Sequence, residues 1–141
     1  MERLTIGQLA RQTGVTVETL RFYEKEQLLP QPIRLSNGYR AYTQQATDRV
    51  AFIQRSKALG FSLKEIRELL ALRQDENSDA ADYHHVVEEK LQHIQEKIDD
   101  LQRMRDALQG LLEACPGEGT AETCPIARTL AGDPIEHAAQ A

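Results

Sequence analysis

The chain has 141 residues, 40% of them hydrophobic and 28% charged, and a formal net charge of −5 at pH 7. This length suits one ordinary domain, or a small domain with an extended arm. No apolar run approaches the roughly 20 residues of a membrane span, and the start MERLTIGQLA lacks the apolar core of a signal peptide. The composition therefore excludes an integral membrane protein and predicts a cytoplasmic protein with no membrane partner.

The charge is distributed unevenly along the chain. Residues 1–73 carry 12 Lys and Arg against 7 Asp and Glu, whereas residues 74–141 carry 5 against 15. A basic segment of net +5 suits a polyanion such as nucleic acid, and an acidic segment of net −10 does not. The asymmetry favours a nucleic-acid-binding part followed by a part with another role. Chance variation between solvated faces is the alternative.

The first 30 residues predict two short helices joined by a tight turn. Gly14 ends the first helix, and Thr16 can cap the second. The order of helix, glycine turn and helix is typical of a helix-turn-helix motif. Val17, Leu20 and Phe22 are expected to turn inward. The outward side chains, of types that reach bases and phosphates, are expected to be Glu18, Thr19, Arg21 and Tyr23.

A short hairpin follows the second helix. In IRLSNGYRAYT, residues 36–38 (Ser-Asn-Gly) lie between two alternating segments, which is a strong signal for a tight turn. The hairpin would form a wing beside the helix-turn-helix, with Arg34, Tyr39 and Arg40 placed to contact phosphates and sugars. An edge hairpin with solvated arginines is the alternative reading.

Two further helices complete the first predicted domain, residues 1–75. The segment TQQATDRVAFIQRSKALG ends at Gly60, and SLKEIRELLALR opens with the capping box of Ser62 and Glu65. Arg55 lies near the basic side and is a candidate phosphate contact. The sequence therefore predicts a winged helix-turn-helix DNA-binding domain.

The longest regular stretch predicts a helix over residues 80–114. Its apolar side chains follow a heptad spacing that only Arg105 interrupts. These side chains are Val87, Leu91, Ile94, Ile98, Leu101, Leu108 and Leu112. A domain of about 75 residues is too small to cover such a helix, roughly 50 Å long. We expect it to pair with a second copy in a homodimer, the alternative being a helix folded back on its own domain.

The two cysteines of the chain, Cys115 and Cys124, flank a glycine-bearing loop with eight residues between them. Pro125 can begin a short helix closed by Gly132, which places Cys124 at a helix N-terminus, where N–H groups stabilise a thiolate. Two soft sulfurs suit Cu(I), which two ligands can hold, better than Zn(II), which usually takes four. We therefore predict a metal-binding loop and helix over residues 115–132. A reversible disulfide sensor and a pair of inert buried thiols are the alternatives.

The order of these parts resembles the MerR family of metal-responsive transcription regulators. The resemblance covers residues 4–130 and rests on IGQLARQTGVTVETLRFYEKEQLL, SNGYRAYT, ALGFSLKEIRELL, the long helix and the cysteine loop. It implies a homodimer with an antiparallel coiled coil, bound to a pseudo-palindromic operator within a promoter. Metal binding would bend and untwist an overlong promoter spacer so that RNA polymerase engages both recognition elements. By this resemblance, the residues that contact DNA are Thr16, Arg21, Tyr23, Arg34, Tyr39, Arg40 and Arg55.

Different features of the chain resemble sensors of different metals within this family. Sensors of divalent ions carry a third cysteine where this chain has Ala80, and copper and silver sensors carry serine there. The motifs ACPG and CPI are similar to the loop sequences of copper and silver sensors. The interval of eight residues between the two cysteines instead resembles that of mercury and zinc sensors. A +2 ion on two thiolates would need another ligand, which His84 or His85 of a partner subunit would supply unless both are simply solvated. We therefore expect Cu(I) or Ag(I), with Zn(II), Cd(II), Pb(II) or Hg(II) as alternatives.

The resemblance thus implies an activator of a metal efflux or resistance promoter. It offers no Ser/His/Asp grouping, glycine-rich phosphate loop or paired-carboxylate pocket, so an enzyme is not expected. A thiol-redox regulator would share the DNA-binding half, and a metal buffer would leave that half without a role. The tail, residues 133–141 with His137, is predicted to be disordered.

Overall fold

The computed structural model describes residues 3–132. The tail of residues 133–141, including His137, lies outside the described residues. The chain divides into an N-terminal unit that ends at Lys90 and a C-terminal unit that begins at Leu91. The mainly helical fold class predicted from the sequence is confirmed. Among the described residues, no helix is both long and apolar enough to cross a membrane.

The described residues form six α-helices, one 3₁₀ turn and a two-stranded sheet. The elements are α1 (Ile6–Thr13), α2 (Val17–Lys25), β1 (Ile33–Arg34), β2 (Arg40–Ala41), α3 (Gln44–Ala58), α4 (Leu63–Gln74), α5 (Ala80–Ala114), the 3₁₀ turn (Ala121–Thr123) and α6 (Pro125–Leu130).

Local capping defines the helix-turn-helix. The Thr5 side chain accepts a hydrogen bond from the Gln8 backbone N–H, and the Gln8 side chain accepts one from the Thr5 N–H. Gly14 ends α1 at φ 75°, a left-handed conformation that favours glycine. Thr16 then caps α2 by accepting from the Thr19 N–H at 3.0 Å. These contacts lie within three residues along the chain and fix the turn between α1 and α2.

The core of the N-terminal unit lies between the first four helices and the base of the hairpin. Its fully buried side chains include Leu9, Leu20, Leu28, Ile53 and Ile66. The hairpin joins this core through its second strand. Its two strands are antiparallel with Ile33 opposite Ala41 and Arg34 opposite Arg40.

The inward face of α2 differs from the prediction. Leu20, Tyr23 and Glu24 are buried, whereas Phe22 is 44% exposed. Residues three and four positions after Leu20 share its face, and a residue two positions after it points away. The prediction that Phe22 turns inward and Tyr23 outward is therefore wrong.

Tyr23 belongs to the core instead. Its ring has no exposed surface, its hydroxyl accepts a hydrogen bond from the Gln54 side chain at 2.8 Å, and burial raises its pKa. A side chain in this position has no surface to offer to DNA. The predicted DNA contact of Tyr23 is therefore corrected to a packing role.

The seam residues of α5 are uncovered in the single chain. The seven apolar seam side chains are between 36% and 64% exposed. The first residues of α5 belong to the N-terminal unit, where Val86 is buried and the Lys90 ammonium lies 3.1 Å from a carboxylate oxygen of Glu65. That carboxylate also closes the Ser62 capping box of α4.

Replacing Tyr23 by Phe should lower the free energy of unfolding by about 1 kcal/mol, because the change removes one partly buried hydrogen bond and keeps the ring. Tyr39→Phe is the matched control, since Tyr39 is 71% exposed and should tolerate the same change without loss. Urea unfolding at one protein concentration measures both variants. Equal stability of the two variants would contradict the burial of the Tyr23 hydroxyl.

Candidate DNA interface and metal site

The exposed face of α2 carries part of the predicted DNA-contact set. Arg21 is exposed, and Thr16 is exposed at the N-cap, where its hydroxyl donates to the Thr19 hydroxyl at 2.9 Å. Arg55, near the end of α3, is exposed as well. Among residues 3–132, neither Arg21 nor Arg55 forms an ion pair. Their guanidinium groups are thus available to phosphates.

The hairpin presents the remaining predicted contacts. Arg34, Tyr39 and Arg40 are exposed. Arg34 and Arg40 lie directly opposite each other across the two strands, an arrangement of like charges that is unfavourable without an anion nearby. Arg40 has such a partner, because one of its guanidinium nitrogens lies 3.5 Å from a carboxylate oxygen of Glu24. The hairpin is therefore an exposed basic surface suited to a polyanion.

The two cysteines meet at the ends of the C-terminal loop. Cys115 follows the last residue of α5, and Cys124 is the N-cap of α6, with Pro125 at the first helical position. Their sulfurs lie 3.2 Å apart as free thiols, and both residues are partly buried. The loop turns back through Gly117 and Gly119, both at positive φ. The described structure thus brings together the two residues predicted to bind metal.

Hydrogen bonds favour the thiolate of Cys124. The backbone N–H of Ala127, the thiol of Cys115 and the backbone N–H of Ile126 hold the pKa of Cys124 below its ordinary value, and partial burial opposes them. Because metals bind the thiolate, a lower pKa leaves fewer protons for a metal to displace near neutral pH.

His84 and His85 lie on the exposed surface of α5. Their rings pair with carboxylates one turn later, His84 with Glu88 at 2.6 Å and His85 with Glu89 at 3.1 Å. Across the described part of the chain, no three or more His, Cys, Asp or Glu side chains are grouped so that they could hold a metal ion. Within residues 3–132 of one chain, the two thiols are therefore not joined by a third His, Cys, Asp or Glu side chain placed to hold the same metal ion.

Two family models match the chain. One, "MerR HTH family regulatory protein", matches residues 4–72, and the other, "MerR, DNA binding", matches residues 47–111. The mercuric resistance operon regulatory protein of Bacillus cereus is 41% identical over 128 residues, which cover 91% of this chain and 97% of that protein. The regulator CueR of Yersinia pestis is 39% identical over 129 residues, which cover 92% of each chain.

Solved structures agree with these relatives. The crystal structure of PbrR691 from Ralstonia metallidurans CH34 in complex with lead(II) matches with a TM-score of 0.83 and 31% identity, covering 90% of this chain and 98% of that one. The relatives are transcription regulators rather than enzymes. The chain therefore belongs to the MerR family of metal-responsive transcription regulators.

Proposed function

We propose that the chain acts as a homodimer that activates a metal efflux or resistance promoter when a thiophilic ion binds Cys115 and Cys124. The observation that carries this proposal is the thiol pair, with sulfurs 3.2 Å apart and a lowered Cys124 pKa. RNA polymerase is the proposed reader of the distorted operator. The metal is proposed to favour one protein conformation, whose deformation of DNA is the output.

Charge and ligand number favour a monovalent ion. Two thiolates with Cu(I) or Ag(I) leave a charge of −1, whereas a divalent ion with two protein ligands needs more donors. Residues 3–132 supply no further grouped ligand within one chain. We therefore propose Cu(I) or Ag(I) as the inducer.

Two observations favour a divalent ion instead. One relative is a mercuric resistance operon regulatory protein, and the similar structure of PbrR691 is a complex with lead(II). A tetrahedral site with metal–sulfur bonds of about 2.3 Å separates two sulfurs by about 3.8 Å, and a linear site with equal bonds by about 4.6 Å. The thiols, at 3.2 Å, must therefore open less for a tetrahedral divalent ion than for a linear ion. Zn(II), Cd(II), Pb(II) and Hg(II) remain the alternative inducers, with His84 or His85 of the partner subunit as added ligands.

The uncovered seam of α5 supports the homodimer. Replacing Leu101, 63% exposed in the single chain, by Asp should produce a monomer, because the charge would be buried between two helices. Ala107→Asp is the control, since it adds the same charge to an exposed position off the heptad seam. Sedimentation equilibrium should give about twice 15.9 kDa for the wild type and the control, and 15.9 kDa for Leu101→Asp. A monomeric wild type would contradict the homodimer.

An anaerobic competition titration of the reduced protein against a chelator tests the metal. We expect one Cu(I) or Ag(I) per subunit to bind tightly, and Zn(II) to bind weakly until Ala80→Cys supplies a third thiol. Tight Zn(II), Cd(II) or Pb(II) binding by the unaltered chain would overturn the monovalent assignment. His84→Ala and His85→Ala would then locate the added ligand.

A redox sensor would give a different result in the same preparation. If no ion changed the protein's effect on transcription, but an added thiol oxidant that takes two electrons and forms the Cys115–Cys124 disulfide did, and a dithiol reductant reversed the effect, the thiol pair would be a redox trigger. The Cys115 and Cys124 sulfurs are close enough for the redox hypothesis to be tested directly.

The proposed DNA and metal functions should separate by mutation. Arg40→Ala should weaken binding to many DNA sequences and lower the salt slope by about 1, because it removes a phosphate contact. Cys115→Ser or Cys124→Ser should leave DNA affinity within about twofold and abolish metal-induced transcription. The reason is that the proposed DNA contacts and the proposed metal ligands are different residues. Fluorescence anisotropy at several salt concentrations and in vitro transcription measure the two effects. An equal loss of DNA binding in the cysteine variants would contradict this separation.

A further inference from the structure

Glu24 is the one buried charged side chain among residues 3–132. It is 5% exposed and lies on the inward face of α2, beside Leu20 and Tyr23. Glutamate is rarely buried without a partner, because its charge loses the stabilisation of water. The partners of Glu24 therefore indicate why it occupies this place.

Both partners of Glu24 come from the second strand of the hairpin and its end. One carboxylate oxygen accepts a hydrogen bond from the Tyr42 hydroxyl, and the other lies 3.5 Å from a guanidinium nitrogen of Arg40. Arg40 and Tyr42 are 16 and 18 residues from Glu24 along the chain. The contact thus joins α2, which is the recognition helix of the helix-turn-helix motif, to the wing.

Tyr42 makes this connection firm. It is 4% exposed, and its backbone N–H and carbonyl pair with those of Leu4 at 2.8 and 2.7 Å. Burial, followed by the hydrogen bond to Glu24, raises the pKa of Tyr42, so the hydroxyl keeps its proton and donates. The end of β2 is therefore held from two sides, by the N-terminal segment and by α2.

We propose that Glu24 is a positioning residue for DNA binding, which fixes the wing against the recognition helix and orients the Arg40 guanidinium toward the DNA backbone. This inference rests on the proposed function, because it requires Arg40 to contact DNA.

Two effects of the Glu24 charge oppose each other. A carboxylate near DNA repels phosphates, and this repulsion weakens binding. The same carboxylate holds the Arg40 side chain, which is 43% exposed, in one direction and offsets the repulsion from Arg34 across the strands. Because the carboxylate is buried and paired with Arg40, we infer that orientation outweighs repulsion.

A double-mutant cycle tests the inference. Glu24→Gln removes the negative charge that pairs with Arg40, whichever way the oxygen and nitrogen of the new amide are placed. It should weaken operator binding by about fivefold, within the range for residues in contact, and lower the salt slope toward that of Arg40→Ala. In the Arg40→Ala background the same change should cause no further loss of DNA affinity, and any gain should match that of Glu26→Gln. Anisotropy titrations at several salt concentrations measure all four proteins.

Glu26→Gln is the matched control. It removes the same charge two residues later, but its carboxylate pairs with Arg67 of α4 at 2.8 Å rather than with the wing. This control accounts for the general gain in DNA affinity when any negative charge is removed, and it should not lower the salt slope. If Glu24→Gln does not fold, Tyr42→Phe replaces it, and its loss of affinity should likewise require Arg40.

The outcomes separate the inference from the proposed function. If Arg40→Ala does not weaken DNA binding, the Arg40 contact in the proposed function fails, and the role of Glu24 fails with it. If Arg40→Ala weakens binding but Glu24→Gln costs the same affinity in both backgrounds, Glu24 is only structural. Unchanged or tighter binding by Glu24→Gln would also overturn the positioning role.

Discussion

The uncovered seam of α5 is the constraint on which the rest of the molecule depends. Thirty-five residues form one helix, and its apolar heptad positions stay exposed in the single chain. Exposing such an apolar surface to water is unfavourable in free energy, so we expect a second copy of the helix to bury it. Pairing would also bring two basic hairpins and two thiol pairs into one symmetric assembly. Dimerisation is therefore proposed as the condition for reading a two-fold operator, and not an addition to a working monomer.

The segregation of charge follows the same division. The first 73 residues are net positive and the remainder net negative, which concentrates attraction for DNA on the half that carries the helix-turn-helix and wing. The thiol pair lies in the acidic half, where metal entry changes the local charge without removing any arginine. On this proposal, metal alters what the bound dimer does to DNA more than how tightly it binds, because the phosphate contacts and the sulfur ligands belong to different residues.

Local chemistry made much of the fold predictable. The caps at Thr16 and Ser62, the left-handed Gly14 and the heptad spacing act over a few residues, and the sequence displays them directly. The two cysteines were also predictable as a pair, since proline and glycine favour a turn that brings Cys124 back to Cys115. The error at α2 came from assigning Phe22 inward by its hydrophobicity, although the helical period from Leu20 places Tyr23 and Glu24 on the buried face. Period was the better signal there.

The burial of Glu24 could not be read from the sequence, because its partners Arg40 and Tyr42 approach it only after the hairpin folds onto α2. Its position matters for any mechanism that deforms DNA. Bending a site costs on the order of 1–6 kcal/mol, and the protein must transmit that force through its phosphate contacts. A wing without contacts to the rest of the domain would move before the DNA did. The two anchors at the end of β2, Leu4 and Glu24, resist that movement. A buried carboxylate beside the hairpin therefore fits the proposed role of straining the operator.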